Sequence, residues 1–249
     1  MFALKPFATG IALSCAAILP AAAATLPVAD IQTFDRGVRD AQISSLYSST
    51  VEDFEVFSAG ELSGALRTSV GVFSTIGGTG SGGTVTHTSG NTGSDLYVRD
   101  KPVYGRINTT TGGSNFLDSN DTSGVDWTIS GFGLFDRIFF TLSDIADTGA
   151  DFLLTAGGDS IMSVSEKRPN GAVDMIMLSF ETAIDELTLT FSHDRLNDGF
   201  GIDDAGFGLS TPGMSNPPSA VPLPTSIAFL LAGTAALAGL RQHGRRKES

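Results

Sequence analysis

Carboxylates and side-chain amides crowd this sequence in short groups: Asp118, Asn120 and Asp121; Asp144, Asp147 and Asp151; Asp194, Asn197 and Asp198; Asp203 and Asp204. Calcium takes about six to eight oxygens from carboxylates, amides and backbone carbonyls on loops, so such groups are its raw material. Glu55 joins them if the first and last strands of the body pair, since it then approaches Asp203 or Asp204. A cation would relieve the resulting repulsion. The candidate metal ligands are therefore Glu55, Asp118, Asp203 and Asp204, and calcium is the candidate cofactor. None of the groups has the spacing of an EF-hand or a nonapeptide repeat, and turn-forming, solubilising aspartates account for the same pattern.

Carbohydrate contact is the second chemistry on offer, because exposed aromatics stack on sugar rings while Asp, Asn and Arg bond the hydroxyls. Trp127, Tyr104, Arg106 and Asn108 are available for it, with Arg106 and Asn108 the candidate ligand residues. Trp127, the only tryptophan, lies in the alternating run V-D-W-T-I and is expected in the core. Catalysis has little footing. Ser192, His193 and Asp194 have the letters of a triad, but neighbours in an extended strand point to opposite faces. The other body histidine, His87, sits in a Gly/Ser/Thr-rich stretch, and Cys15 is the only cysteine. There is no HExxH zinc motif. Paired carboxylates for glycoside hydrolysis remain open, because sequence does not fix their separation.

The charge balance narrows the partners. Discounting Lys5, four cations near the C-terminus and Glu248 takes the chain's 15 Lys+Arg and 27 Asp+Glu to 10 and 26 over residues 25–240. Such a body repels nucleic acid and anionic surfaces.

The elements that must position these groups read mostly as strands. Residues 51–210 are expected to form one antiparallel all-β domain, a sandwich or jelly roll, preceded by a helical segment over 25–50. Within that segment Ile31, Phe34, Val38, Ile43, Leu46 and Tyr47 recur near helical spacing, predicting one amphipathic helix between Asp30 and Thr50. Strands are predicted at Val51–Phe57, Leu66–Phe73, Asp126–Ser130, Arg137–Ser143, Asp151–Ala156, Ser160–Ser165, Val173–Phe180, Glu186–Ser192 and Gly201–Leu209. Gly157-Gly158 supplies the positive φ angles of a two-residue hairpin turn, and Leu187, Leu189 and Phe191 face inward by alternation. Ser74–Ser94 is nearly all Gly, Ser and Thr, and is expected to be a loop.

The two ends of the chain read as addresses. Residues 1–24 have the form of a secretory signal peptide: Lys5, an apolar stretch from Phe7 to Leu19, then Pro20 and small residues to a cleavage point after Ala24. Cys15 would leave with it. Residues 211–220 form a Pro/Ser linker to a three-part tail over 221–249. Val221, Pro222, Leu223 and Pro224, followed by Thr225, make a stiff unhelical strip suited to a protease cleft. The uncharged run from Thr225 to Leu240 would form about 24 Å of hydrophobic helix, a little short of a roughly 30 Å membrane core. Arg241, Arg245, Arg246 and Lys247 then anchor the end on the cytoplasmic side.

This order of Pro motif, apolar run and basic end resembles the PEP-CTERM class of bacterial sorting signals, in its VPLPA-type variant with Thr225 in place of alanine. The resemblance implies an exosortase-like transpeptidase that cuts near the Pro motif and passes the body to the cell surface or extracellular matrix. The body is similar to secreted β-sandwich domains found in front of such signals, which commonly open on a D-F-E strand and close on F-G-I-D-D. Here these are Asp53-Phe54-Glu55 and Phe200–Asp204.

The reading that results is a non-catalytic, exported surface or matrix protein, held in the membrane by its C-terminal helix before processing. Its sandwich would bind calcium or extracellular polysaccharide. The alternative is a secreted hydrolase of extracellular polysaccharide.

Overall fold

A computed structural model describes residues 26–62, 64–77, 95–120, 122–147, 151–194 and 199–210. The signal peptide, the linker, the tail from Val221 to Ser249, most of the Gly/Ser/Thr-rich stretch with His87, and Asp121, Asn197 and Asp198 lie outside the described residues.

Within them the chain is all-β and antiparallel, with one helix. In order, the elements are β1 (Val28–Thr33), α1 (Arg36–Ser44), β2 (Ser48–Glu52), β3 (Gly60–Glu61), β4 (Leu66–Thr68), β5 (Gly71–Thr75), β6 (Tyr97–Arg99), β7 (Phe116–Asp118), β8 (Gly124–Ser143), β9 (Phe152–Ala156), β10 (Asp159–Val164), β11 (Val173–His193) and β12 (Gly201–Leu209).

The core is built on a ribbon made by β8 and β11. These two strands pair from Val173↔Ser143 to Ser192↔Gly124, with register breaks between Ser179 and Glu186. The break faces the run S-G-F-G-L-F at 130–135, where Gly131 (φ 79°) and Gly133 (φ 88°) take left-handed angles that residues with a Cβ avoid. There the ribbon doubles back. A straight strand would hold Trp127 and Phe140 some ~40 Å apart at roughly 3.3 Å per residue. Instead their rings meet edge to face at 6.1 Å, and Phe140 meets Phe191 at 5.2 Å.

The two halves of the ribbon thus face each other in two layers. One contains β1, the first half of β11, the second half of β8, β12 and β2, with β7, β6 and β3 continuing beyond β12. The other contains β4, β5, the first half of β8, the second half of β11, β9 and β10. Phe73, Trp127, Ile129, Phe140, Leu154, Ile176, Leu178, Leu189 and Phe191 fill the space between them. Trp127 is buried as expected, stacks on Phe73 at 5.2 Å and donates its indole N–H to the Val70 carbonyl.

Several strands match the sequence reading, and others correct it. The hairpin turn at Gly157-Gly158 has φ of 58° and 94°, and Gly201–Leu209 is a strand over that whole span. The predicted pairs 126–130/137–143 and 173–180/186–192 are each one continuous bent strand. The helix predicted over 30–50 shrinks to Arg36–Ser44, capped by Asp35, whose carboxylate accepts from the Val38 amide. The residues before it form β1, which completes the open edge of β11, and that backbone ladder outweighs the helical spacing of Ile31 and Phe34. The strand predicted at 51–57 ends at Glu52, since Phe54 turns left-handed (φ 58°) and starts a turn closed by Phe57 donating to its carbonyl. The pairing on which the approach of Glu55 to Asp203 and Asp204 depended is present between β2 and β12, Glu52 lying opposite Ala205.

Candidate functional site

The arrangement is organised by a break in β12. Its register with β8 shifts between Asp203 and Gly206, and Asp204 is left-handed at φ 47°. Adjacent residues of a regular strand point to opposite faces, and a bulge re-aims one of them. Both carboxylates therefore reach the same residue, Thr109. Its hydroxyl lies 3.0 Å from Asp203 Oδ2 and 2.7 Å from Asp204 Oδ2. The Thr109 and Thr110 amides donate to Asp203 Oδ2 at 2.6 and 3.2 Å, and the Thr110 hydroxyl donates to Asp204 Oδ1 at 2.7 Å. Arg39, the one buried residue of α1, completes the pair: its guanidinium donates to Asp204 and to the Thr109 carbonyl.

Two carboxylates this close and this deep repel each other. Burial first, and then the neighbouring Asp204 charge, push Asp203 up to about 8, against the opposing pull of the Thr109 and Asp204 amides. Arg39 moves up as well: burial opposes its charge, and Asp40 and Asp204 outweigh that opposition. The repulsion that a cation would relieve is met here by the Arg39 guanidinium and by the Thr109 and Thr110 donors.

Glu55 works on the far end of the same loop. Its Oε1 accepts from the Ser114 amide (2.6 Å), the Asn115 amide (2.7 Å) and Asn108 Nδ2 (3.3 Å). The loop approaches so closely at Gly113 that an added Cβ would lie 2.3 Å from that oxygen. Asn115 returns the contact by donating to the Phe54 and Phe57 carbonyls. Glu55, Asp203 and Asp204 thus do gather around one segment, residues 108–115, as acceptors for its N–H and O–H groups.

Asp118 belongs to a separate cluster. It is wholly buried between Arg99 Nε (2.8 Å) and Arg106 Nη1 (2.7 Å), and it also accepts from the Asn120 amide. Arg99 lies over the Tyr97 ring at 3.8 Å. Among the described residues no three of His, Cys, Asp and Glu are grouped to hold a metal ion, so the four predicted ligands do not form one set. The candidate sugar contacts are also engaged within the protein. Arg106 is 3% exposed and committed to Asp118, and Asn108 is half-buried and bridges Glu55 and the Asn115 carbonyl. Tyr104, by contrast, is 49% exposed.

Nor do Ser192, His193 and Asp194 converge: the serine hydroxyl donates to the Leu153 carbonyl, and the Asp194 carboxylate accepts from the Asp151 amide. A groove between Pro27, Phe180 and Leu187 carries the exposed carboxylates Asp159 and Glu186 and holds about 110 Å³. Small-molecule clefts run to roughly 300–1,000 Å³.

Sequence reasoning found the acids and missed their partners Thr109, Thr110, Arg39 and Arg99, all of which come from distant segments. One signal was available. In a body so short of cations, each arginine placed among apolar residues is a candidate partner for a buried carboxylate.

No family model matches the chain, and no curated protein matches it. Solved structures that resemble it include the K2 cleaved adhesin domain of Lys-gingipain, at 14% identity and a TM-score of 0.38 over 65% of this chain and 98% of that one. Another holds the CBM32-1, CBM32-2 and M60 catalytic domains of Clostridium perfringens ZmpB, at 8% identity and a TM-score of 0.34 over 77% of this chain and 17% of that one. Likenesses this distant assign no activity.

Proposed function

We propose that this chain is an exported, non-catalytic surface or matrix protein whose tail is the substrate of an exosortase-like transpeptidase, and whose β-sandwich associates with extracellular polysaccharide. The observation that carries the sorting half is the order of parts over 221–249: the Val221–Pro224 strip, the uncharged run from Thr225 to Leu240, and the cations Arg241, Arg245, Arg246 and Lys247. Export by the 1–24 signal and anchoring of the uncharged run in the membrane belong to the same reading.

The geometry of the body supports the non-catalytic half. A general acid or base must reach a substrate proton. Asp203 and Asp204 are 1% and 5% exposed, and their oxygens are engaged by Thr109, Thr110 and Arg39. Glu55 and Asp118 are likewise engaged, so the most prominent acids of the sequence serve as fastenings. β12 ends where the Ser210 amide and hydroxyl bond Asp136 at 2.8 and 2.6 Å, fixing the point from which the linker departs.

The test is to replace Pro222 and Pro224 with alanine in the native host and follow the protein's size and location. Retention at full length in the membrane is expected. Unaltered cleavage and delivery would show that the Val221–Pro224 strip is not the sorting signal.

A further inference from the structure

Three turns meet where β8 leaves the sheet and β11 enters it, at residues 103–106, 144–147 and 169–172. They are tied to one another. Val103 and Arg106 exchange backbone bonds of 3.0 and 2.9 Å, and the Asp144 amide donates to the Ala172 carbonyl. The carboxylate of Asp144, itself buried, accepts from the Gly171 amide at 2.8 Å. Arg168 donates from its amide to the Ala146 carbonyl and from its guanidinium to Asp174. Asn170 joins the outer rim, its Nδ2 lying 3.2 Å from the Tyr104 carbonyl and 3.3 Å from Asp147 Oδ2.

The backbone beneath is held in an unfavourable form. Of six non-glycine residues with positive φ among the described residues, three are here: Tyr104 (48°), Asp144 (66°) and Ala146 (58°). Such residues persist where the surroundings over-determine them, and they concentrate at binding sites. Here they present a half-exposed tyrosine beside an exposed amide and a carboxylate. An aromatic side chain offers an apolar face to the C–H face of a sugar, a carboxylate accepts from its hydroxyls, and so does the Asn170 carbonyl oxygen, whose Nδ2 is already engaged by Tyr104 and Asp147. The acidic body disfavours an anionic glycan at the same place.

We infer that Tyr104, Asp147 and Asn170 form a contact site for a neutral saccharide, with the sugar ring against the tyrosine and its hydroxyls on Asp147 and Asn170. This rests on the polysaccharide half of the proposed function and gives it a location in which, of the candidate contacts read from the sequence, Tyr104 stays and Arg106 and Asn108 give way to Asp147 and Asn170.

The full chain is passed over immobilised dextran, a β-1,3-glucan and a mannan, with dextran sulfate as the anionic counterpart. The variants are Tyr104→Gly, Tyr104→Phe, Asp147→Asn and Asn170→Ala, with Phe132→Ala as a distant control. Glycine accepts φ near 48° without strain, so Tyr104→Gly removes the ring and keeps the turn. Retention on at least one neutral polysaccharide is expected, falling about tenfold for Tyr104→Gly, severalfold for Asp147→Asn and Asn170→Ala, and unchanged for Tyr104→Phe and Phe132→Ala. Equal retention of wild type and Tyr104→Gly would overturn the site and leave the polysaccharide reading standing. Retention on dextran sulfate alone would overturn the ligand class, and retention on none of the four would overturn both the site and the reading.

Discussion

Trp127 and Phe140 lie on the same strand, yet their rings touch at 6.1 Å because the β8–β11 ribbon folds back on itself at Gly131 and Gly133. That contact is the join between the two layers. Trp127 is wholly buried, stacked on Phe73 and bonded to Val70. Trp127→Ala is expected to cost about 3–5 kcal/mol in a urea titration, and Trp127→Phe clearly less. A loss below about 1 kcal/mol for the alanine variant would mean that the layers are not joined there.

Asp118 neutralises two guanidiniums in a site that water does not reach, so removing it takes a buried carboxylate from both. Asp118→Ala is expected to destabilise by about 3–5 kcal/mol, the range for breaking a buried ion pair from one side. Arg106→Ala leaves Asp118 with Arg99 and is expected to cost less. The order of the two variants in the same titration checks the assignment.

Asp203 gives the protein a pH dependence of definite sign. Its folded form binds a proton up to about pH 8, while the unfolded chain releases it near the ordinary 3.8. The folded state therefore gains stability from this group below about pH 4 and loses it as pH rises toward about 8. Asp203→Asn carries no such titration. Unfolding free energies measured at pH 4, 6 and 8 are expected to fall more steeply with pH in wild type than in Asp203→Asn. Parallel curves would contradict the burial and pairing described for this carboxylate.

Glu55, Asp118, Asp203 and Asp204 were the candidate calcium ligands, and each of these accepts from protein donors. Melting curves with and without EDTA are accordingly expected to coincide. A midpoint lowered by chelation would show that a cation binds the folded chain.

The part of this fold legible in the sequence was the part set by local pattern. Alternation gave Leu189 and Phe191 their inward faces, and the Gly157-Gly158 pair marked its turn. Where tertiary pairing overrode local preference, the sequence misled: β1 is a strand because β11 offers an edge, although Ile31 and Phe34 sit at helical spacing. The site divides in the same manner. The acids were visible as letters, and the β2–β12 pairing behind them entered only as a condition. The Asp204 bulge, which turns two neighbours onto Thr109, and the reach of Arg39 from α1 depend on contacts far apart along the chain, and no local spacing records them.

What happens to the tail is read from the C-terminal peptide of the protein recovered from the cell surface, identified by mass. The account predicts a chain that ends within or beside Val221–Thr225 and carries nothing of Ile227–Ser249. A surface protein that still contains the run through Leu240 and the cations Arg241–Lys247 would contradict it.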